Sequence, residues 1–146
     1  MAPMPAGSAL LLLLVLLGPL PASSQTHAAF LRKHMDYPKT DPNLTDRLYC
    51  NHMMQRRGMT TPICKEFNTF IHAPTNDVDA ICTNRGTHSS GNLYNSSAYF
   101  NLTNCKVNGP QRPPCNYRGF TSYQRIQVAC ENSLPVHFQR RILVSG

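Results

Sequence analysis

The stretch Cys64-Lys65-Glu66-Phe67-Asn68-Thr69-Phe70 decides the fold of this chain. Its pattern predicts a short β-strand that starts at a cysteine, with Phe67, Thr69 and Ile71 on one face and the residues between them on the other. We expect one face to carry apolar bulk and the other to present polar groups. Because Lys65 follows a candidate disulfide cysteine, its backbone would be held still, and a fixed lysine can stabilise a dispersed negative charge.

An apolar run at residues 9–20 precedes this stretch and is followed by small residues. An apolar run of this length, followed by small residues, is typical of a secretory signal peptide. It is too short to cross the hydrocarbon core of a membrane as a helix. We expect cleavage after Ser24, so that residues 1–24 are a signal peptide and residues 25–146 form a single domain. No other run is apolar enough to span a bilayer, which predicts a soluble, secreted, extracellular product without stable membrane insertion.

The six cysteines all follow the apolar run. An even number of cysteines in a secreted chain predicts three disulfides, although the count alone leaves many connectivities open. The chain has no Cys-x-x-Cys pair and no His-x-x-x-His pair, so neither a zinc site nor another cofactor is expected.

The charge is strongly unbalanced, with fourteen basic and seven acidic side chains and a formal net charge of +7. A small basic protein in an oxidising compartment commonly binds polyanions, such as nucleic acid, heparan-type glycans or anionic membranes. Simple solubility is the other explanation of the same excess.

Hydrophobic patterns and helix caps predict helices before strands along the chain. Helices are expected at residues 27–36, 46–57 and 74–82, with Thr45 as the N-cap and Gly58 at the C-cap of the second. After a loop at residues 85–92, strands are expected at residues 99–103, 125–129 and 134–138.

The stretch from Cys64 to Phe70 resembles the signature of the pancreatic-type ribonuclease family, in which Cys-Lys and two variable positions precede Asn-Thr-Phe. Residues 30–36 and 134–138 resemble the first helix and the last strand of that family. The resemblance implies an α+β fold, with three helices around a curved antiparallel β-sheet and an active site in the cleft between the halves of the sheet. It also implies three disulfides, which are Cys50–Cys105, Cys64–Cys115 and Cys82–Cys130.

The resemblance also implies a division of roles for the cleavage of RNA. His34 would be the general base, His137 the general acid and Lys65 the cation beside the transition state, and histidine suits both proton-transfer roles near neutral pH. Thr69 would pair with either pyrimidine through its hydroxyl and backbone N–H, and Phe138 would pack against the base.

Four positions bear on how well this chain would perform that reaction. Lys33 stands where the family has a glutamine that helps to hold a phosphate oxygen, and Glu131 is a candidate contact for the following base. Gln139 replaces the aspartate that normally pairs with the second catalytic histidine, and Arg140 matches neither the small residue of the pancreatic enzymes nor the glutamine of angiogenins. Lys33 would give either a stronger anion contact or a different geometry, and the loss of the aspartate at Gln139 predicts low activity.

The loop at residues 85–92 has no cysteine, whereas the eight-cysteine ribonucleases carry an additional disulfide there. Six cysteines are the angiogenin pattern, in which this loop is implicated in cell-surface binding. Arg56 and Arg57 lie in a segment that resembles the nuclear-import segment of angiogenins, which would allow nuclear uptake; the same arginines also suit a solvated helix end. Three glycosylation sequons begin at Asn43, Asn95 and Asn101.

Two hypotheses for the function follow. The first is a secreted, monomeric, angiogenin-like endoribonuclease that cleaves single-stranded RNA on the 3′ side of pyrimidines through a 2′,3′-cyclic phosphate. The alternative is a basic secreted ligand, angiogenic or antimicrobial, that binds a receptor, cell-surface glycans or membranes and has vestigial catalysis. The missing fourth cysteine pair disfavours an ordinary digestive ribonuclease.

Overall fold

The computed structural model describes residues 25–143. The expected signal peptide and the final residues of the expected domain lie outside this part of the chain. Within residues 25–143, no helix is long and apolar enough to cross a membrane. The helices are α1 (His27–His34), α2 (Asp46–Arg56) and α3 (Thr75–Asp79), and a 3-10 turn at Ala80–Cys82 follows α3.

Helix α1 ends two residues earlier than its sequence pattern predicts. Thr26 caps its N-terminus, where the Oγ1 atom accepts a 3.0 Å hydrogen bond from the N–H of Ala29. Met35 is extended and forms a parallel bridge with Ile71. The chain therefore leaves the helix to join a strand, and this pairing holds the C-terminal end of α1 beside the sheet.

Helix α2 begins at the expected residue and ends at Arg56, one residue earlier than expected. Thr45 is its N-cap and accepts a hydrogen bond from the N–H of Leu48. Arg57 is the C-cap, and Gly58 follows with a φ of 77°, the left-handed conformation that glycine adopts most easily. The buried face of α2 consists of Tyr49, Cys50, Met53 and Met54.

The sheet has six strands, which are β1 (Phe67–Ile71), β2 (Gly86–Ser90), β3 (Leu93–Ser96), β4 (Phe100–Val107), β5 (Tyr117–Glu131) and β6 (Leu134–Ile142). Their order is β1-β4-β5-β3-β2, and β6 also pairs with β5. All of these pairings are antiparallel. The first half of β5 pairs with β4 and the second half with β3 and β6, so one long strand joins the two halves of the sheet. The expected α+β architecture is confirmed.

Two further local expectations are wrong. The segment 85–92 is not a loop, because Gly86–Ser90 forms strand β2, which pairs with β3. The residues of β2 are polar and mostly exposed, so they lack the hydrophobic alternation that would have predicted a strand. Strand β1 does not have one apolar and one polar face either. Thr69 and Ile71 share one face, Asn68 and Phe70 share the other, and Phe70 and Ile71 both lie in the core.

The core consists of two clusters of buried side chains on either side of β1. One contains Phe30, Ile71, Val78, Leu102 and Ile126 among others, and the second contains Tyr49, Met53, Met54, Phe70 and Tyr117 among others. Three disulfides with the implied partners join the elements, and they are Cys50–Cys105, Cys64–Cys115 and Cys82–Cys130. Cys64–Cys115 holds the chain just before β1, next to Lys65.

Candidate active site

A cleft of about 810 Å³ opens between the end of α1, strand β1 and strand β6. Its lining includes His34, Lys65, Thr69, His137, Phe138 and Arg141. The fold therefore brings the three expected catalytic side chains and two of the expected substrate contacts into one cavity, although they are far apart in sequence.

His34 is the last residue of α1 and is only 6% exposed. Its Nδ1 atom donates a 2.8 Å hydrogen bond to the carbonyl oxygen of Thr69. A carbonyl oxygen can only accept, so Nδ1 carries the proton and Nε2 keeps a free lone pair. Burial, followed by the charge of Lys65, lowers the pKa of His34 from 6.5 to about 3. The ring is thus neutral near neutral pH, which is the form a general base requires.

Lys65 is held at the entrance to β1 by an asparagine. Its Nζ donates a 2.8 Å hydrogen bond to Oδ1 of Asn68, and Nδ2 of Asn68 donates a 2.9 Å hydrogen bond to the carbonyl oxygen of Lys33. Asn68 therefore ties the lysine to the end of α1, beside His34. Burial, then the charges of Lys33 and Arg32, lower the pKa of Lys65 to about 8.

His137 lies in β6 between two irregularities of strand pairing. Gln127 pairs with Arg140 and Val128 with Phe138, so Gln139 is an extra residue, and a second shift makes Val136 extra. Such bulges re-aim the neighbouring side chains. Burial, then the charges of Lys65 and Lys33, lower the pKa of His137, and within residues 25–143 no hydrogen bond contributes to that shift.

A hydrogen-bond network fixes the hydroxyl of Thr69. Nδ2 of Asn104 donates to the carbonyl oxygen of Phe120 at 3.3 Å and to Oγ of Ser122 at 2.9 Å. The carbonyl of Phe120 can only accept, so the amide nitrogen of Asn104 must face it. The amide oxygen of Asn104 therefore faces Thr69. Oγ1 of Thr69 then donates to Oδ1 of Asn104 at 2.8 Å. The hydroxyl proton is thus engaged, and its lone pairs remain for a ligand.

Three contacts with phenylalanine rings lie in or beside the cleft. The ring centroid of Phe138 lies 5.3 Å from that of His34. The guanidinium of Arg141 lies between two phenylalanine rings, 5.5 Å from the centroid of Phe67 and 5.2 Å from that of Phe120. These contacts hold a cation at the wall of the cleft.

The four positions expected to affect how well the chain cleaves RNA differ in whether they line the cleft. Gln139 and Arg140 are exposed and line the cleft. Lys33 and Glu131 do not line it, although the charge of Lys33 acts on both histidines. Glu131 is exposed at the end of β5, at the turn to β6.

Of the two import-segment arginines, only Arg56 is a freely exposed side chain. Nη1 of Arg57 donates a 2.6 Å hydrogen bond to the carbonyl oxygen of Arg32, and its Nη2 lies 3.6 Å from Oδ1 of the buried Asp36. The hydroxyl of Tyr49 donates to the same carboxylate. Arg57 therefore joins the ends of α1 and α2, which makes it a structural residue of the fold.

Three residues were not identified from the sequence as site residues, and they are Asn68 and Arg141, which line the cleft, and Asn104, which contacts Thr69 behind it. Asn68 lies within the motif, but its bond to Lys65 depends on the strand conformation. Asn104 and Arg141 lie in β4 and β6, and nothing in their local sequence predicts a contact with β1 or with the phenylalanines. Among the described residues, no group of three His, Cys, Asp or Glu side chains is placed to hold a metal ion.

The chain is similar to known ribonucleases and angiogenins. The family model described as pancreatic ribonuclease matches residues 25–139. The chain is 55% identical over 114 residues to a ribonuclease of Chelonia mydas, which covers 77% of this chain and 95% of that protein. It is 40% identical over 145 residues to angiogenin of Sus scrofa, with 96% of each chain covered. The crystal structure of green turtle egg white ribonuclease superposes with a TM-score of 0.76 at 53% identity, over 80% of this chain and 98% of that one.

Proposed function

Since the chain belongs to the pancreatic ribonuclease family and is a ribonuclease, we propose that it cleaves single-stranded RNA after pyrimidines with His34, Lys65 and His137. The observation that carries the proposal is the meeting of these three side chains in one cleft, beside a threonine and a phenylalanine able to bind a base.

The first step is an attack of the 2′-oxygen on the adjacent phosphorus. Nε2 of His34 takes the proton of the 2′-hydroxyl, for which its lone pair is free because Nδ1 donates to the carbonyl of Thr69. The phosphorus gains a bond to the 2′-oxygen and loses its bond to the 5′-oxygen. The product is a 2′,3′-cyclic phosphate.

The leaving group and the developing charge need the other two side chains. Protonated His137 gives its proton to the departing 5′-oxygen, and the ammonium of Lys65 stabilises the negative charge on the phosphoryl oxygens. Because Asn68 holds that ammonium at 2.8 Å, little reorganisation is needed during the reaction. Hydrolysis of the cyclic phosphate reverses the roles of the histidines.

Base selection follows from the state of the Thr69 hydroxyl. Its proton is donated to Asn104, so its oxygen can accept from the N3–H of uracil. Cytosine presents a lone pair at N3, and binding it requires the hydroxyl to turn away from Asn104. We therefore expect a preference for uridine over cytidine, with the ring of Phe138 packed against the base.

The proposed activity is low for two reasons. Gln139 is an uncharged residue where a carboxylate would stabilise protonated His137, and it lies at a bulge in β6. In addition, burial of His137 and then the nearby positive charges of Lys65 and Lys33 lower its pKa and disfavour the protonated form that the reaction requires. Arg140, exposed at the cleft, would partly compensate by attracting RNA, an effect that salt should screen.

The experiment is cleavage of a pyrimidine–purine dinucleotide by the mature chain, residues 25–146, and by His34→Ala and His137→Ala variants. Each replacement should lower kcat/KM by about 10²–10⁴-fold, the usual contribution of a general acid or base. His52→Ala is the matched control, since this histidine is exposed on α2 and outside the cleft. Equal cleavage by all four proteins would overturn the proposed roles of His34 and His137, and equal cell activity of the wild type and His34→Ala would favour a ligand with vestigial catalysis.

A further inference from the structure

Two tyrosines form an exposed stacked pair away from the cleft. Tyr99 is 44% exposed and Tyr123 is 63% exposed, and their ring centroids lie 5.4 Å apart with planes inclined by 25°. Neither belongs to the two core clusters. A large aromatic surface left in water is informative because burying it against an apolar group is favourable.

Asn101 lies against this pair. It is directly opposite Tyr123 in the pairing of β4 with β5, where facing side chains are close, and it follows Tyr99 by two residues. All three side chains border one hollow of about 440 Å³. Asn101 is exposed, and it is the first residue of the sequon Asn101-Leu102-Thr103.

The other two sequons have different surroundings. Asn95 is half-buried, and its Oδ1 accepts a 2.8 Å hydrogen bond from Nε2 of the buried Gln127. Asn43 is exposed in the turn before α2. Of the three, Asn101 combines an exposed amide with an aromatic surface beside it.

We propose that Asn101 carries an N-linked glycan and that its first N-acetylglucosamine packs on the Tyr99–Tyr123 pair. A pyranose ring has an apolar C–H face, which suits the face of an aromatic ring, and the hollow beside the amide gives it room. The proposal rests on passage of the chain through the secretory pathway, which the signal peptide expected at residues 1–24 predicts.

The buried hydroxyl of the sequon sets the time of the modification. His72 donates through Nδ1 to the carbonyl oxygen of Asp36, so its Nε2 accepts from the hydroxyl of Thr103 at 2.8 Å. Thr103 is fully buried. The enzyme that attaches the glycan must contact the hydroxyl of Thr103, so it must act before β4 pairs with its neighbours. Attachment of the glycan therefore precedes folding.

The glycan would leave the RNA cleft open. None of Asn101, Tyr99 and Tyr123 lines the cleft, and Asn104, which contacts Thr69, lies on the opposite face of β4 from Asn101. Its presence or absence should therefore leave dinucleotide cleavage unchanged, which separates this proposal from the proposed enzymatic function.

The first test is mass spectrometry of the full chain secreted by a eukaryotic host that makes high-mannose glycans. Asn101→Gln should remove one glycan mass, and Asn43→Gln and Asn95→Gln serve as matched controls. A secreted wild-type chain with an unmodified Asn101 would overturn the proposal.

The second test separates the sugar contact from glycosylation alone. An endoglycosidase that leaves the first N-acetylglucosamine should preserve Tm, whereas an amidase that removes the whole glycan should lower Tm by a few degrees, as expected for loss of one aromatic contact. A Tyr99→Ala/Tyr123→Ala variant should lose most of this difference. An equal difference in the variant and in the parent chain would refute packing on the tyrosines.

Discussion

Replacement of Asn104 by alanine should remove most of the expected preference for uridine. To donate to N3 of cytosine, Thr69 must take its hydroxyl proton away from Oδ1 of Asn104, which is fully buried. Leaving a buried acceptor unsatisfied costs about 1–3 kcal/mol. This cost corresponds to roughly 5- to 150-fold in the ratio of kcat/KM for uridine over cytidine. With alanine at this position, the hydroxyl can turn without that cost, and the ratio should approach unity.

The assay is initial-rate cleavage of two dinucleotides, uridylyl-adenosine and cytidylyl-adenosine, by the same preparation. The ratio of the two kcat/KM values cancels errors in the active fraction, which matters because Asn104→Ala opens a small cavity in a buried site. Ser122→Ala is the matched control. It removes one acceptor of the Asn104 amide, but the carbonyl of Phe120 still fixes the amide orientation. Its ratio should equal that of the wild type.

Two results would refute this reasoning. A wild-type chain that cleaves the cytidine substrate as fast as the uridine substrate would mean that the Thr69 hydroxyl is not committed to Asn104 during catalysis. An unchanged ratio in Asn104→Ala, in a variant shown to be folded by its thermal transition, would mean that another group selects the base.

Four further predictions concern charge in and around the cleft. The profile of kcat/KM against pH should have its optimum on the acid side of 6.5, because the pKa of His34 is lowered to about 3 and that of His137 is lowered as well. Lys33→Gln removes a positive charge that lowers the pKa values of both histidines, so both limbs of the pH–rate profile should move to higher pH. If neither limb moves, the charge of Lys33 does not contribute to these pKa shifts. Gln139→Asp should raise kcat/KM on a dinucleotide several-fold by stabilising protonated His137, and no change or a fall would mean that His137 is oriented by other groups. Finally, His34 gains its proton near pH 6.5 in the unfolded chain but only near 3 in the folded one, so stability should fall as pH decreases between these values. Urea unfolding at pH 6.5 and 4 should show a loss of up to about 3 kcal/mol that is smaller in His34→Asn, and an equal loss in both proteins would contradict it.

The sequence alone was sufficient for those features that depend on local chemistry. The N-cap at Thr45 was correct because a cap satisfies backbone groups within one turn of its own position, whereas the C-cap is Arg57, one residue before the expected Gly58. The motif around Lys65 led to the family, and the family implied the α+β fold and the three disulfide pairs that the structure contains.

The tertiary structure decided everything that depends on strand register and on which side chains meet. The sequence of Gly86–Ser90 has no hydrophobic alternation, so it did not predict a strand. The segment is a strand only because it pairs with β3 in the folded protein. The tautomer of His34 depends on a carbonyl 35 residues away, and the state of the Thr69 hydroxyl depends on Asn104, also 35 residues away. No local pattern encodes these contacts, because they arise only when separate strands pack at hydrogen-bonding distance. For that reason the sequence could indicate which residues perform the chemistry, whereas only the packed fold shows how their protons are arranged.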